Sequence, residues 1–239
     1  VALPKVVSAD EWLAERMKLL TEEKELTRRI DAISTKRRQL PMVRVDKPYR
    51  FVGGDGEVGL RELFRGRRQL IVQHVMYEPH WDEVCPSCTA SIDELPAATL
   101  DHLAARETSY ALVSRAPYEK LAGSQRRKGW PIPWYSSFGS DFNYDFDVTM
   151  DPSVKPPVYN YRPLPPEDYP ETSAEQPGLS CFLRDGDDIY HTYSTYARGT
   201  DQLGGGYTFL DLTALGRQER WEEPKGRVEF ANDNRPDFS

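Results

Sequence analysis

The stretch "RRQLIVQHVMYEPHWDEVCPSCTASIDEL", residues 67 to 95, holds two of the chain's three cysteines. Leu70 to Tyr77 form a nearly continuous apolar run, as expected of a strand buried on both faces. A polar loop follows, and Cys85 stands just before a helical pattern. Pro86 suits the first helical position, where no N–H is needed. Cys85 then lies at the positive end of a helix, beside unpaired backbone amides. That setting favours a thiolate, the reactive form of cysteine. Cys88 comes one turn later on the same face. It can attack a mixed disulfide on Cys85 and release the partner. The expected roles are therefore Cys85 as nucleophile and Cys88 as resolving thiol.

Two other readings of the pair are an inert couple of helix cysteines and a metal site. Tetrahedral zinc needs four ligands. His74 and His80 lie upstream, but the pattern is incomplete, so no metal and no cofactor is expected. His80, Asp82 and Glu83 flank the pair and are candidate proton carriers or a solvated loop. A carboxylate at Asp82 is expected to repel a nearby thiolate and raise its pKa. Trp81 reads either as part of a docking surface or as a core anchor.

Outward from this stretch the pattern alternates. Upstream, "YRFVGGDGEVGLRELF" reads as a short strand, a Gly-rich turn and a short helix. Downstream, the helix of residues 85–107 should bend or break near Pro96. "TSYALVSRA" is the next strand and "PYEKLAGSQRRKGW" the next helix. This order predicts parallel strands joined by helical crossovers. "GLSCFLRDGDDIYHTYSTY" predicts a hairpin. Its alternation places His191 with Tyr193 on one face and Tyr190, Ser194 and Tyr196 on the other. Cys181 in "LSCFL" reads as a small hydrophobe with a structural role.

Residues 150–178 carry eight prolines and read as an insertion loop with little regular structure. Just before them, "WYSSFGSDFNYDF" reads as core packing or as the wall of a small-molecule pocket. In the second case Ser136, Ser137, Ser140 and Asn143 would be its polar tips. At the start, "SADEWLAERMKLLTEEKELTRRIDAISTKRRQL" predicts one long helix, capped by Ser8 or Asp10 and stopped by Pro41. Trp12, Leu19, Leu26, Ile33 and Leu40 recur every seven residues. This narrow seam fits a helix lying across its own domain or a homodimer contact. The expected division is a helical extension over 1–40, one α/β domain over 41–216 and a loose arm over 217–239.

A net charge of -7 argues against nucleic acid, whose partners are usually basic. No stretch approaches the ~20 apolar residues of a membrane span. The opening "VALPKVVSADEWL" lacks a signal-peptide core, and three cysteines are too few for a disulfide scaffold. A cytoplasmic setting is expected.

The unit carrying CPSC, with the following strand–helix unit and the hairpin, resembles the thioredoxin fold. "GEVGLRELFRGRRQLIVQHVMYEPHWDEVCPSC" resembles the opening of its peroxiredoxin-like branch. Residues 4 to 216 more closely resemble an uncharacterised bacterial thioredoxin-like family known as a domain of unknown function. The motifs that carry this are "EWLAER", "LPMVRV", "DE-x-CPSC", "WYSSFGSDFNYDF" and "HTYSTYARG"; Val84 stands where a Gly is usual. The resemblance implies a thioredoxin-like α/β fold of the peroxiredoxin-like branch: a central mixed sheet flanked by helices, with an N-terminal helical extension. It further implies a cis-proline facing the dithiol, a place Pro177 could fill. The peroxiredoxin pattern has a Thr three residues before its reactive Cys, where Asp82 stands here, and Pro79 is displaced.

The function expected is a thiol–disulfide oxidoreductase acting on a disulfide-containing protein or a small thiol substrate, and recharged by a cellular dithiol reductant. One alternative is a thiol peroxidase with a sulfenic acid on Cys85. The other is a binding module whose dithiol is vestigial or regulatory.

Overall fold

The computed structural model of the chain describes residues 3–203 and 205–226. Their packing forms two compact units, one of residues up to Pro41 and from Leu210 onward, the other Met42–Phe209. Helix α1, Ala9–Arg38, belongs to the first. Ser8 caps it: its Oγ accepts the Glu11 amide at 3.3 Å, and the Glu11 carboxylate accepts the Ser8 amide at 3.0 Å. Asp10 and Glu11 sit at its positive end and Lys36, Arg37 and Arg38 at its negative end. No residue of α1 is buried, and all five seam residues are exposed in the single chain. Of the arm expected over 217–239, residues 217–226 run through turns, and residues 227–239 lie outside the described residues.

The second unit is built on one sheet. Its elements are, in order, β1 (Val43–Arg44), β2 (Arg50–Gly53), β3 (Gly56–Gly59), α2 (Leu60–Leu63), β4 (Gln69–His74), α3 (Pro86–Asp93) and α4 (Ala97–Ala104). Then come β5 (Thr108–Ser114), α5 (Tyr118–Lys128), β6 (Trp134–Ser136), α6 (Phe142–Asp145), β7 (Thr149–Met150), β8 (Val158–Tyr159) and β9 (Arg162–Pro163). The last are β10 (Ala174–Glu175), β11 (Gly178–Asp185), β12 (Asp188–Tyr196) and α7 (Gly205–Leu210). The strand order is β1-β12-β11-β4-β5-β6-β2-β3. β4, β5 and β6 run parallel, while β11 is antiparallel to both β4 and β12. The central strands β12-β11-β4-β5 thus have the order and directions of a thioredoxin-like core, within a mixed sheet flanked by helices.

The sheet separates two cores. On one face Val75, Leu112 and Trp134 pack with Ile92 and Cys88 of α3 and Leu121 of α5. On the other, Leu70, Val72, Val113 and Phe182 pack with Leu63 of α2 and Phe142 of α6. All seven residues of β5 are buried; its serines are satisfied there, Ser109 donating to the Phe64 carbonyl and Ser114 to the Val75 carbonyl. Pro96 separates α3 from α4, because proline cannot donate within a helix. Gly129, in the left-handed region at φ 67°, ends α5.

Two expectations needed correction. The text after Tyr49 holds a second strand, because the two residues between Gly53 and Gly56 close a β2–β3 hairpin before α2 begins. The simple alternation along β12 also fails. Cys181 pairs with Tyr193 and Phe182 with His191, so Thr192 is an extra residue in a bulge. The bulge turns His191 onto the face of Ser194, whose hydroxyl lies 2.7 Å from His191 Nε2.

Candidate active site

The apolar run of β4 continues beyond its last strand residue, His74, to Tyr77. Val75 N–H still donates to Val113 of β5, and Ala116 N–H donates to the Tyr77 carbonyl. The chain then loops back, and α3 begins with Cys85 as its N-cap and Pro86 as its first residue. This places the CPSC pair against the end of a central strand. Cys85 N–H donates to the Met76 carbonyl at 3.2 Å. Met76 N–H donates to Cys88 Sγ at 3.4 Å.

All three cysteines are free thiols; Cys88 is buried and Cys85 half-buried. The Cys88 thiol donates to the Cys85 sulfur, and this bond is the largest influence lowering the Cys85 pKa to about 6. Burial opposes it, whereas the amides of Cys88 and Ser87 and the Ser87 hydroxyl support it. The same bond, with burial, pushes Cys88 well above its ordinary value. One thiol is therefore a thiolate near neutrality, while the other holds its proton one turn deeper. The expectation that Asp82 would raise the Cys85 pKa is overturned. Asp82 is exposed, and the donors at the start of α3 dominate.

The flanking residues divide. His80 is exposed, with its ring edge-on to Trp81 and Nδ1 at 3.5 Å from Glu78. Trp81 is half-buried against the core cluster that also contacts Cys85, so it acts as an anchor there. Glu83 pairs at the surface with Arg127 at 3.0 Å. The loop itself is pinned: Lys120 Nζ donates to the carbonyls of Pro79 and Trp81 at 2.9 and 2.7 Å. Tyr77 Oη donates to the Asp82 carbonyl at 3.0 Å.

Pro177 immediately precedes β11. Gly178, the first residue of β11, is opposite His74, the last of β4, so Pro177 lies at the strand end from which the chain runs on through Val75 and Met76. The Gln176–Pro177 bond is trans, however, and the cis bond among the described residues is Glu223–Pro224. The segment before Pro177 is already tied down in extended form. Glu175 pairs with Thr149, and Gln176 N–H donates to Val148 at 2.7 Å.

Two features around this site carry no mark in the sequence. One is a buried acid cluster. Glu78 accepts the Glu175 amide at 3.2 Å. The Glu175 carboxylate in turn is met by Thr149 at 2.5 Å, Asn143 at 3.0 Å and Arg115 at 3.5 Å. Burial raises Glu175 to about 7 against those donors. The other is Tyr159 of β8, whose hydroxyl donates to the Pro177 carbonyl at 3.0 Å and accepts the Ala197 amide at 2.9 Å. Neither lies in a motif, since both depend on how the proline-rich segment folds back. The pocket reading of "WYSSFGSDFNYDF" meets inward-turned polar tips: Ser136 donates to the Ala116 carbonyl, and Ser137 donates to Asn143. Trp134, Phe142 and Phe146 are core residues. No metal-binding cluster of histidine, cysteine or acidic residues occurs among the described residues, and no described helix is long and apolar enough to cross a membrane.

Residues 1–233 match the family described as "Bacterial protein of unknown function (DUF899)". No curated protein matches. Among solved structures, the chain is similar to peroxiredoxin Q of Xanthomonas campestris at 13% identity, covering 69% of this chain and 94% of that one, with a TM-score of 0.46. It is similar to a PrxQ mutant of Xylella fastidiosa at 10% identity, covering 69% and 91%, with a TM-score of 0.43. It is also similar to a 2-Cys peroxiredoxin of Plasmodium vivax at 14% identity, covering 66% and 82%, with a TM-score of 0.41.

Proposed function

The chain belongs to the bacterial DUF899 family, and we propose that it is a thiol–disulfide oxidoreductase working through Cys85 and Cys88. One observation carries this reading: a half-buried cysteine at a helix N-terminus receives a hydrogen bond from a buried second thiol. The arrangement separates attack from resolution. Cys85 thiolate attacks one sulfur of a substrate disulfide, and that S–S bond breaks. The departing sulfur leaves as a thiolate and takes a proton from solvent. Cys88 then loses its proton and attacks the Cys85 sulfur of the mixed disulfide, expelling the second substrate thiol. Two electrons and two protons have passed to the substrate, and a Cys85–Cys88 disulfide remains. A cellular dithiol reductant returns the pair to the reduced form.

The test is trapping. With a disulfide substrate, Cys88→Ser should stop at a mixed disulfide on Cys85, and Cys85→Ser should form none. Accumulation of a Cys85 sulfenic acid with stoichiometric peroxide, and no mixed disulfide, would replace this reading by a peroxidase. Slow and equal alkylation of Cys85, Cys88 and Cys181 in the reduced protein would remove both.

A further inference from the structure

Resting on that reading, we propose that the dithiol serves low-molecular-weight disulfides, and that the proline-rich insertion, latched by Tyr159, denies it extended polypeptide. A polypeptide substrate reaching a thiol at the end of a central strand gains affinity by pairing its backbone with free N–H and C=O groups beside that thiol. The backbone nearest in the sheet is the segment leading into β11, which meets β4 at Gly178 and His74, just before Val75 and the Met76 amide that donates to Cys88 Sγ. Its amide donors and the Pro177 carbonyl are already engaged. The Glu175 amide donates to Glu78, and the Gln176 amide donates to the Val148 carbonyl. Pro177 has no amide proton, and its carbonyl accepts the Tyr159 hydroxyl.

Tyr159 is itself fully engaged. It gives its one proton to Pro177 and receives the Ala197 amide, tying β8 to both ends of the β11–β12 hairpin. It also lies close enough to Cys88 that the charge of a Cys88 thiolate would oppose its ionisation. The adjacent Tyr161 adds a second tie, donating to the Ser194 carbonyl at 2.8 Å. A small disulfide needs none of this backbone. It needs only Cys85, which is half-buried.

The test is single-turnover oxidation of the reduced full-length protein by two probes, bis(2-hydroxyethyl) disulfide and insulin. Each rate is divided by that of free dithiothreitol with the same probe, which removes the probes' intrinsic reactivity. The normalised rate with the small disulfide should exceed that with insulin at least tenfold. Tyr159→Phe, which breaks the latch while keeping the ring, should raise the insulin value at least threefold and leave the small-disulfide value within twofold. Equal normalised rates in the wild type would overturn the substrate class whether or not the variant folds. A folded Tyr159→Phe that left both values unchanged, or raised both alike, would overturn the latch. If neither probe oxidised Cys85 and Cys88, the oxidoreductase reading would sink instead, and this inference with it.

Discussion

The nucleophile and the resolving thiol differ by what surrounds each sulfur. Cys85 is half-buried and faces donors: the Cys88 thiol, the first amides of α3 and the Ser87 hydroxyl. Cys88 is buried and keeps its proton, donating a hydrogen bond to Cys85 with it. Removing the donor should therefore move the nucleophile. In Cys88→Ala, thiolate absorbance should show Cys85 titrating well above its wild-type midpoint of about 6, toward the ordinary value of 9.0. An unchanged midpoint would mean that the helix amides alone hold the thiolate. The sign of the linkage follows from the same shifts. The lowered Cys85 contributes stability that is complete above pH 9 and is lost as pH falls through about 6. The raised Cys88 works the other way. Above pH 9 it ionises more readily in the unfolded chain, so stability falls. The reduced protein should thus gain stability from this pair between about pH 6 and 9.

At the scale of elements, the site exists because α3 starts where β4 stops and because β11 enters the sheet beside that junction. The entry is close-packed. A Cβ on Gly178 would come within 2.8 Å of Tyr196 Cδ1 and 3.1 Å of Val148 Cγ1. Gly178 is also paired on both sides, to His74 and to Tyr196, so the strand cannot yield without breaking a ladder. Gly178→Ala should lower stability by about 1–3 kcal/mol, the usual penalty of overpacking, read as a lower denaturant midpoint at unchanged m-value. A stability equal to wild type would show that Tyr196 can move aside. How legible these elements were varied. β4, α5 and the hairpin stood in the text as apolar or periodic runs, and β5 as a short run bounded by Ser and Thr. β3 was hidden in a Gly-rich turn, and the β12 bulge was invisible because an alternating sequence carries no mark of the residue at which its partner slips.

At the scale of the second compact unit, the insertion is held by its buried acid. Glu175 sits on β10, while Glu78, Arg115, Asn143 and Thr149 come from the loop after β4, the end of β5, α6 and β7. Arg115 and Glu78 are its charged neighbours. Glu175 is raised from 4.5 to about 7, so its folded form holds a proton that the unfolded chain has lost. That contributes stability below pH 4.5 which disappears as pH rises through 7, a term on the order of 3 kcal/mol. Glu175→Gln, neutral at every pH, should flatten the fall in stability between pH 4.5 and 7, measured as denaturation midpoints at successive pH values. A slope equal to that of the wild type would show that the Arg115 charge already holds Glu175 ionised.

The sequence by itself determined the principal elements around the site and the dithiol. A continuous apolar run can be a doubly buried strand, proline at a first helical position marks a helix start, and CxxC spacing sets two sulfurs one turn apart; each is a short-range relation along the chain. It also carried the capping of α1, through Ser8 and Glu11. What only the tertiary structure decided is what each sulfur and its neighbours meet. The Cys85 thiolate turned out to be set by the Cys88 thiol, then by the helix amides, His191 to share a face with Ser194, and Pro177 to enter β11 through a trans bond. Tyr159 and Glu175 acquired partners in segments far along the chain. Burial, register and hydrogen-bond partnership between distant segments are settled by packing, and no local pattern of side chains encodes them.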